Sequence, residues 1–129
     1  MVDICKLSDT IKCKVINLDE VITSSEKHAD LLVQCEKAVI VIEETRKMKS
    51  TDITQVIETL NDVKRNKKKY DIKSEHQEFF GIIHSTKIAD PISIKLLSTK
   101  TGKDFILDKA NCCEDLVRKI THIALKPLR

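Results

Sequence analysis

The sequence predicts a long N-terminal α-helix that forms a coiled coil, followed by a small α+β head of two or three antiparallel strands and a C-terminal helix. Three observations carry this prediction. An apolar heptad runs from Ile4 to Tyr70, no Gly or Pro interrupts the chain before Gly81, and the texture changes after Phe79-Phe80-Gly81. The expected domains are therefore 1-80, the coiled coil, and 81-129, the globular head.

With Ile4 as an a position, the a series is Ile4, Ile11, Leu18, Ser25, Leu32, Val39, Arg46, Ile53, Leu60 and Lys67. The d series is Leu7, Lys14, Val21, His28, Cys35, Ile42, Lys49, Val56, Val63 and Tyr70. Fourteen of these twenty positions are apolar in a chain that is 41% apolar, which marks a 3.5-residue repeat and hence supercoiling helices. A continuous helix over this stretch would be on the order of 120 Å long and could not bury its stripe alone. The partner-binding seam is accordingly Ile4, Leu7, Ile11, Leu18, Val21, Leu32, Cys35, Val39, Ile42, Ile53, Val56, Leu60 and Val63.

The details of the seam favour a different chain as partner. In a homodimer Arg46, Lys49 and Lys67 would face their own copies, and β-branched Val21, Ile42, Val56 and Val63 stand at d where Leu suits parallel homodimers. Ser25 and His28 form a polar layer that fixes register. Ala38 to Ile42 (Ala-Val-Ile-Val-Ile) is apolar all round and β-branched, a strand by propensity. It is kept helical because Val39 and Ile42 fall on the seam and Glu43 with Lys47 makes an i,i+4 pair. The alternative is a helical hairpin that turns at Ser50-Thr51-Asp52, with Asp52 and Gln55 as a capping box.

In the head, Ile82 and Ile83 begin a short strand, and Ile92, Ile94 and Leu96 alternate with Ser93 and Lys95 as in a half-buried strand. Ser98 to Gly102 reads as a turn and Asp104 to Asp108 as the returning strand of a hairpin. Asn111 with Glu114 caps a helix in which Leu116, Ile120 and Ile123 recur at helical spacing until Pro127.

Composition limits the chemistry. Net charge is +3 and the aromatic content 3%, so neither a strong polyanion binder nor a large aromatic core is announced. Five cysteines, two of them adjacent, do not read as a disulfide framework, and a reducing compartment is expected. The start, Met1-Val-Asp-Ile-Cys-Lys, lacks the basic and apolar regions of a signal peptide, and no run is long enough to span a membrane.

Cys112-Cys113 with His122 lacks zinc-knuckle spacing, His28 and Cys35 lie too far apart for joint ligation, and Gly81 and Gly102 cannot build a phosphate-cradling loop. No catalytic residue, metal ligand or cofactor is therefore expected, and the chain reads as a non-enzyme. Between Lys64 and Lys73, six basic residues stand against one acid. Lys64, Arg65, Lys67, Lys68, Lys69 and Lys73 are candidate phosphate contacts, although a solvated helix face explains them as well.

The segment Asp104-Phe-Ile-Leu-Asp-Lys-Ala-Asn, followed by Leu116-Val-Arg-Lys-Ile-Thr-His-Ile-Ala, resembles the end of the head in the short coiled-coil subunits at the inner end of the outer-kinetochore microtubule-coupling rod complex. The smaller of the two subunits is the nearer match. That resemblance implies a parallel heterodimer at the kinetochore in the nucleus (the cytosol otherwise), whose fused heads bind inner-kinetochore peptides. The function so predicted is a structural subunit linking inner kinetochore to the microtubule-binding rod in chromosome segregation. The expected aromatics of the closing helix are replaced by Ile120, Ile123 and Ala124. Two other readings stand beside it: a helical nucleic-acid-associated protein using the basic run 64-73, and a compact helical-bundle adaptor.

Overall fold

The computed structural model describes residues 5–22, 27–72, 78–87, 91–101 and 105–125 and shows a mixed five-stranded sheet with helices on both faces. The elements in chain order are α1 (Leu7–Thr10), β1 (Lys14–Asn17), α2 (Leu18–Val21), β2 (Leu31–Gln34), β3 (Ala38–Thr45), α3 (Ser50–Arg65), β4 (Glu78–Ser85), α4 (Pro91–Lys100), β5 (Ile106–Ala110) and α5 (Cys113–Leu125). The strands lie side by side in sequence order. β1, β2 and β3 form an antiparallel meander, while β3, β4 and β5 are parallel.

The long N-terminal helix and its coiled coil are absent; the longest helix among the described residues is α3, of 16 residues. The heptad has a physical explanation. Ile53, Val56, Leu60 and Val63 do share one helical face, on α3, and all are buried. Leu32, Val39 and Ile42 keep the same spacing on strands, with Cys35 directly after β2, and there an odd step crosses the sheet. Leu32 and Val39 therefore enter one core layer, and Cys35 and Ile42 the other. Because both faces are covered, the strand is apolar throughout and satisfies any period imposed on it. Ala38 to Ile42 thus follows its β propensity, and Arg46 and Lys49 fall in the connection after the strand.

One layer packs α3 and Leu97 of α4 on Val39, Val41, Phe79, Ile83 and Leu107. Leu116 and Ile120 of α5, with Leu7 of α1, cover Ile40, Ile42, Phe80, Ile82 and Ala110 on the other side. Two successive parallel crossovers in one direction keep α3 and α4 on the same face.

In the C-terminal part, the strand expected at Ile92 to Leu96 is α4, with Pro91 at its first position. Ile92 is 79% exposed, so its alternation with Ser93 marks no pleat. The return strand exists as β5, but it pairs parallel to β4, which requires a crossover in place of a hairpin. The final helix matches its expected spacing, with Leu116 and Ile120 fully buried.

The cysteines depart from expectation. Cys13 is bonded to Cys35 and Cys5 to Cys113, leaving Cys112 as a free, exposed thiol. Their partners are brought together by the sheet and its covering helices across separations of 22 and 108 residues, which spacing alone does not reveal.

Beyond α3, the Tyr70 hydroxyl donates to Asp62, and that hydrogen bond is the largest influence holding the Asp62 carboxyl below its ordinary range. Tyr70 is buried, so it pins the turn that returns the chain to β4.

Gly81, in the middle of β4, lets α3 lie close on the sheet: a Cβ there would stand 2.4 Å from Val56 Cγ1 and 2.8 Å from Leu107 Cδ2. Gly81→Ala is therefore expected to destabilise the fold by about 2 kcal/mol through overpacking, measured by urea denaturation. Wild-type stability in that variant would show that the layer has room to spare.

Candidate functional site

Parallel sheets offer their reactive groups at the carboxyl ends of the strands, where the connections open a crevice. In this chain that edge is formed by the ends of β3 and β4 and the start of the antiparallel β2. The residues there are polar and mostly buried. At the end of β3, pleating sends adjacent glutamates to opposite faces of the sheet: Glu43 toward α3 and Glu44 toward His84.

On the α3 face, Asp30 precedes β2. Its backbone N–H donates to the Ile42 carbonyl at 3.0 Å, and its carboxylate accepts the Glu44 N–H at 2.7 Å. The side chain thus continues the β2–β3 ladder past its last backbone pair and is fixed beside Glu43, to which it is hydrogen-bonded. Asp52 in the first turn of α3 accepts the Lys49 N–H at 2.8 Å, which caps the helix and presents a third carboxylate. Glu43 and Asp52 are only 5% and 6% exposed.

Burial, first, then the hydrogen bond and charge of Asp30, and then the charges of Asp52 and Glu44 push the Glu43 carboxyl up to about 9. The Glu43 carboxyl consequently keeps its proton at neutral pH. Exposed cations follow Glu43 in the chain: Arg46, Lys47 and Lys49 lie within six residues of it, and Lys87 is tied to Arg46 by a 2.9 Å backbone hydrogen bond.

Just upstream of Asp30, Lys27 and His28 line a cleft of about 390 Å³ that follows the outer side of α3 past Thr59 and Asn61 to Arg65 and Lys69, with Glu58 and Asp62 also in its wall. Ala29 joins this cleft to the strand, donating its N–H to the Thr59 hydroxyl at 3.0 Å.

The opposite face is built differently. His84 Nδ1 lies 2.5 Å from Glu44 Oε2 and 3.8 Å from Cys5 Sγ, and the His84 side chain is 2% exposed. Glu44, Thr45, Arg46, His84 and Thr86 line an open depression of about 280 Å³.

The residues singled out from the sequence lie elsewhere. Leu18, Leu32, Val39, Ile53, Val56, Leu60 and Val63 belong to the α3-side core, and Leu7, Cys35 and Ile42 to the α5-side core. Val21 and Ile11 pack half-buried on those cores. Ile4 and Lys73 lie outside the described residues.

Lys64 and Arg65 end α3, and Lys67, Lys68 and Lys69 follow in the turn. Lys64 Nζ sits 5.4 Å from the Phe79 ring centroid, and Lys69 Nζ is 3.7 Å from Asp62 and 5.3 Å from the Tyr70 ring. Sequence reasoning missed Asp30, Glu43 and Asp52. The available signal was the pair of glutamates closing the β-branched run Ala38 to Ile42, an acidic end that a fully buried strand does not require.

Glu43 makes stability depend on pH. The native carboxyl keeps its proton up to about 9, whereas an unfolded one loses it near 4.5, so between those values the native state binds more protons and stability falls as pH rises. Glu43→Gln is expected to stabilise the protein by about 1–2 kcal/mol at about pH 8 and to change little at about pH 4, read by urea denaturation. A variant less stable than wild type at the higher pH would mean that the carboxylate is ionised and paired.

No protein-family model, curated protein or solved structure matches the chain, so its chemistry is argued from the geometry above.

Proposed function

We propose that the protein is a divalent-cation-dependent phosphodiester hydrolase acting on nucleic acid, with Asp30 and Glu43 as the cation ligands and Asp52 beside them. The observation that carries this reading is the hydrogen-bonded pair of carboxyls, Asp30 and Glu43, at the carboxyl end of β3, with Asp52 near enough to raise the Glu43 carboxyl further and with exposed Arg46, Lys47 and Lys49 following in the chain. Hard oxygen donors of this kind suit Mg²⁺ or Mn²⁺. Such an ion would replace the Glu43 proton, polarise a phosphoryl oxygen and acidify a bound water. Asp30 is held by the Glu44 N–H and Glu43 by the strand, so neither needs to reorganise to serve as a ligand.

The exposed cations Arg46, Lys47 and Lys49 attract the phosphate, and the cleft along α3 adds Lys27, Arg65 and Lys69. From Asp52 to Arg65 the helix rises about 20 Å, close to six base-pair steps, a reach that fits a polymer better than a small phosphoester. In the reaction, the water oxygen forms a new bond to phosphorus as one ester P–O bond breaks. One water proton ends on the leaving hydroxyl, the other in solvent.

This reading keeps the basic run 64-73 as a phosphate contact and replaces the expectation of a non-catalytic chain. A kinetochore-type assembly role and its heteromeric partner need an open apolar stripe, and the described residues of that stripe lie in this core or pack against it.

Purified protein is expected to cleave single- or double-stranded DNA or RNA in Mg²⁺ or Mn²⁺, and Asp30→Asn with Glu43→Gln to reduce cleavage by at least about a thousandfold. Cleavage unchanged in the double variant, or none by wild type on any of these polymers, would overturn the reading. Replacing Arg46 and Lys47 by Glu should weaken nucleic-acid binding and lower the slope of log affinity against log salt by about 2, measured by fluorescence anisotropy.

A further inference from the structure

On the face of the sheet opposite Asp30, four segments far apart in sequence deliver a second set of ligand atoms. Cys5 lies just before α1, Cys113 begins α5, His84 is near the end of β4 and Glu44 near the end of β3. The ligand atoms of Cys5, His84 and Cys113 all lie within 4.8 Å of one another. Glu44 Oε2 is 2.5 Å from His84 Nδ1, and that nitrogen is 3.8 Å from Cys5 Sγ.

A structural disulfide does not require an imidazole beside it, nor a carboxylate behind that imidazole. The Cys13–Cys35 bridge has no such neighbour among the grouped ligands of the described residues. His84 is also incompletely satisfied: its Nε2 is buried and has no hydrogen-bond partner among the described residues, an arrangement that costs free energy unless the ring has another task. Two thiolates and an imidazole form the borderline-soft donor set that zinc accepts, with a fourth position left for water, and that magnesium and calcium do not favour. The depression lined by Glu44 and His84 gives an ion a way in.

We propose that Cys5, Cys113 and His84 form a zinc site in the reduced protein, with Glu44 bracing the His84 ring, and that the Cys5–Cys113 disulfide is its oxidised, metal-free form. A small-molecule dithiol opens the disulfide, giving two protein thiols and its own disulfide. Zinc then binds the two thiolates with release of two protons. Oxidation by a disulfide of the same class reverses the sequence: the two sulfurs rejoin, the electrons pass to the oxidant, and the ion leaves. Cys5 and Cys113 join the start of α1 to α5 in either state, through the disulfide or through the ion, so the fold keeps this clamp while the metal content changes. The site faces away from Asp30 and Glu43 and stands whether or not those residues hydrolyse phosphodiesters.

The test uses the full-length chain, reduced with a phosphine and freed of metal, and titrated with Co²⁺ as a spectroscopic probe. One equivalent should bind with a thiolate-to-cobalt charge-transfer band and visible bands of tetrahedral intensity, and Zn²⁺ should displace it. Protein that retains its disulfides should give neither signal. His84→Ala is expected to weaken Zn²⁺ binding about a hundredfold, and Cys113→Ser to remove the cobalt spectrum. The double variant Cys13→Ser with Cys35→Ser should keep it, which separates this site from the other bridge.

Should Cys113→Ser fail to fold, Glu44→Gln supplies a second reading of the same site through a shifted cobalt spectrum. Absence of charge transfer in the reduced wild type, or an unaltered spectrum in the His84 and Glu44 variants, would overturn the proposal.

Discussion

The structure depends on β3 being covered on both faces. Its residues Ala38 to Ile42 are all buried, with Val39 and Val41 packed under α3 and Ile40 and Ile42 under α5 and α1. A strand placed so deeply cannot sit at an edge, and its neighbours follow. β2 must lie antiparallel on one side through the short connection from Gln34 to Ala38, whereas the parallel β4 on the other side requires a crossover, which α3 supplies. The close fit of that helix over Gly81 sets the thickness of the layer.

The same burial explains why so much of the fold was hidden in the sequence. Amphipathic α3 and α5 were legible, since Val56, Leu60 and Val63, or Leu116 and Ile120, recur at true helical spacing. The doubly buried strands were not, because a segment apolar at every position fits a seam of any period. Strand propensity for Ala-Val-Ile-Val-Ile pointed the right way and was outweighed by a register that had only accidental continuity. On α4 the error ran in reverse: Ile92 and Ile94 alternate with polar neighbours, yet they are exposed on a helix that buries Ser93 and Leu97.

The polar residues were harder still. Asp30 sits before β2, Glu43 thirteen residues later and Asp52 in a different element, and only the antiparallel pairing of β2 with β3 and the start of α3 unites them. His84, Cys5 and Cys113 likewise meet through the parallel register of β4 and the packing of two terminal helices. Neither set has a local spacing to recognise, because each ligand comes from a separate element. A lone acidic doublet at the end of an apolar run was the single visible trace of both.

That doublet is also what stability fails to explain. A carboxyl buried between two other acids loses hydration and gains repulsion, and neutral or apolar replacements of buried ionisable groups are often neutral or stabilising. Glu43 is in that position, with Asp30 and Asp52 both raising its proton affinity. Glu44, beside it in sequence but on the other face, is buried against a histidine whose second nitrogen has no hydrogen-bond partner among the described residues. Groups that oppose the fold persist at places where they do chemistry, and natural chains tolerate such a loss where function requires it. The pleat of one strand therefore divides a pair of adjacent glutamates between two environments: Glu43 faces α3 beside Asp30 and Asp52, and Glu44 faces His84 on the side of Cys5 and Cys113.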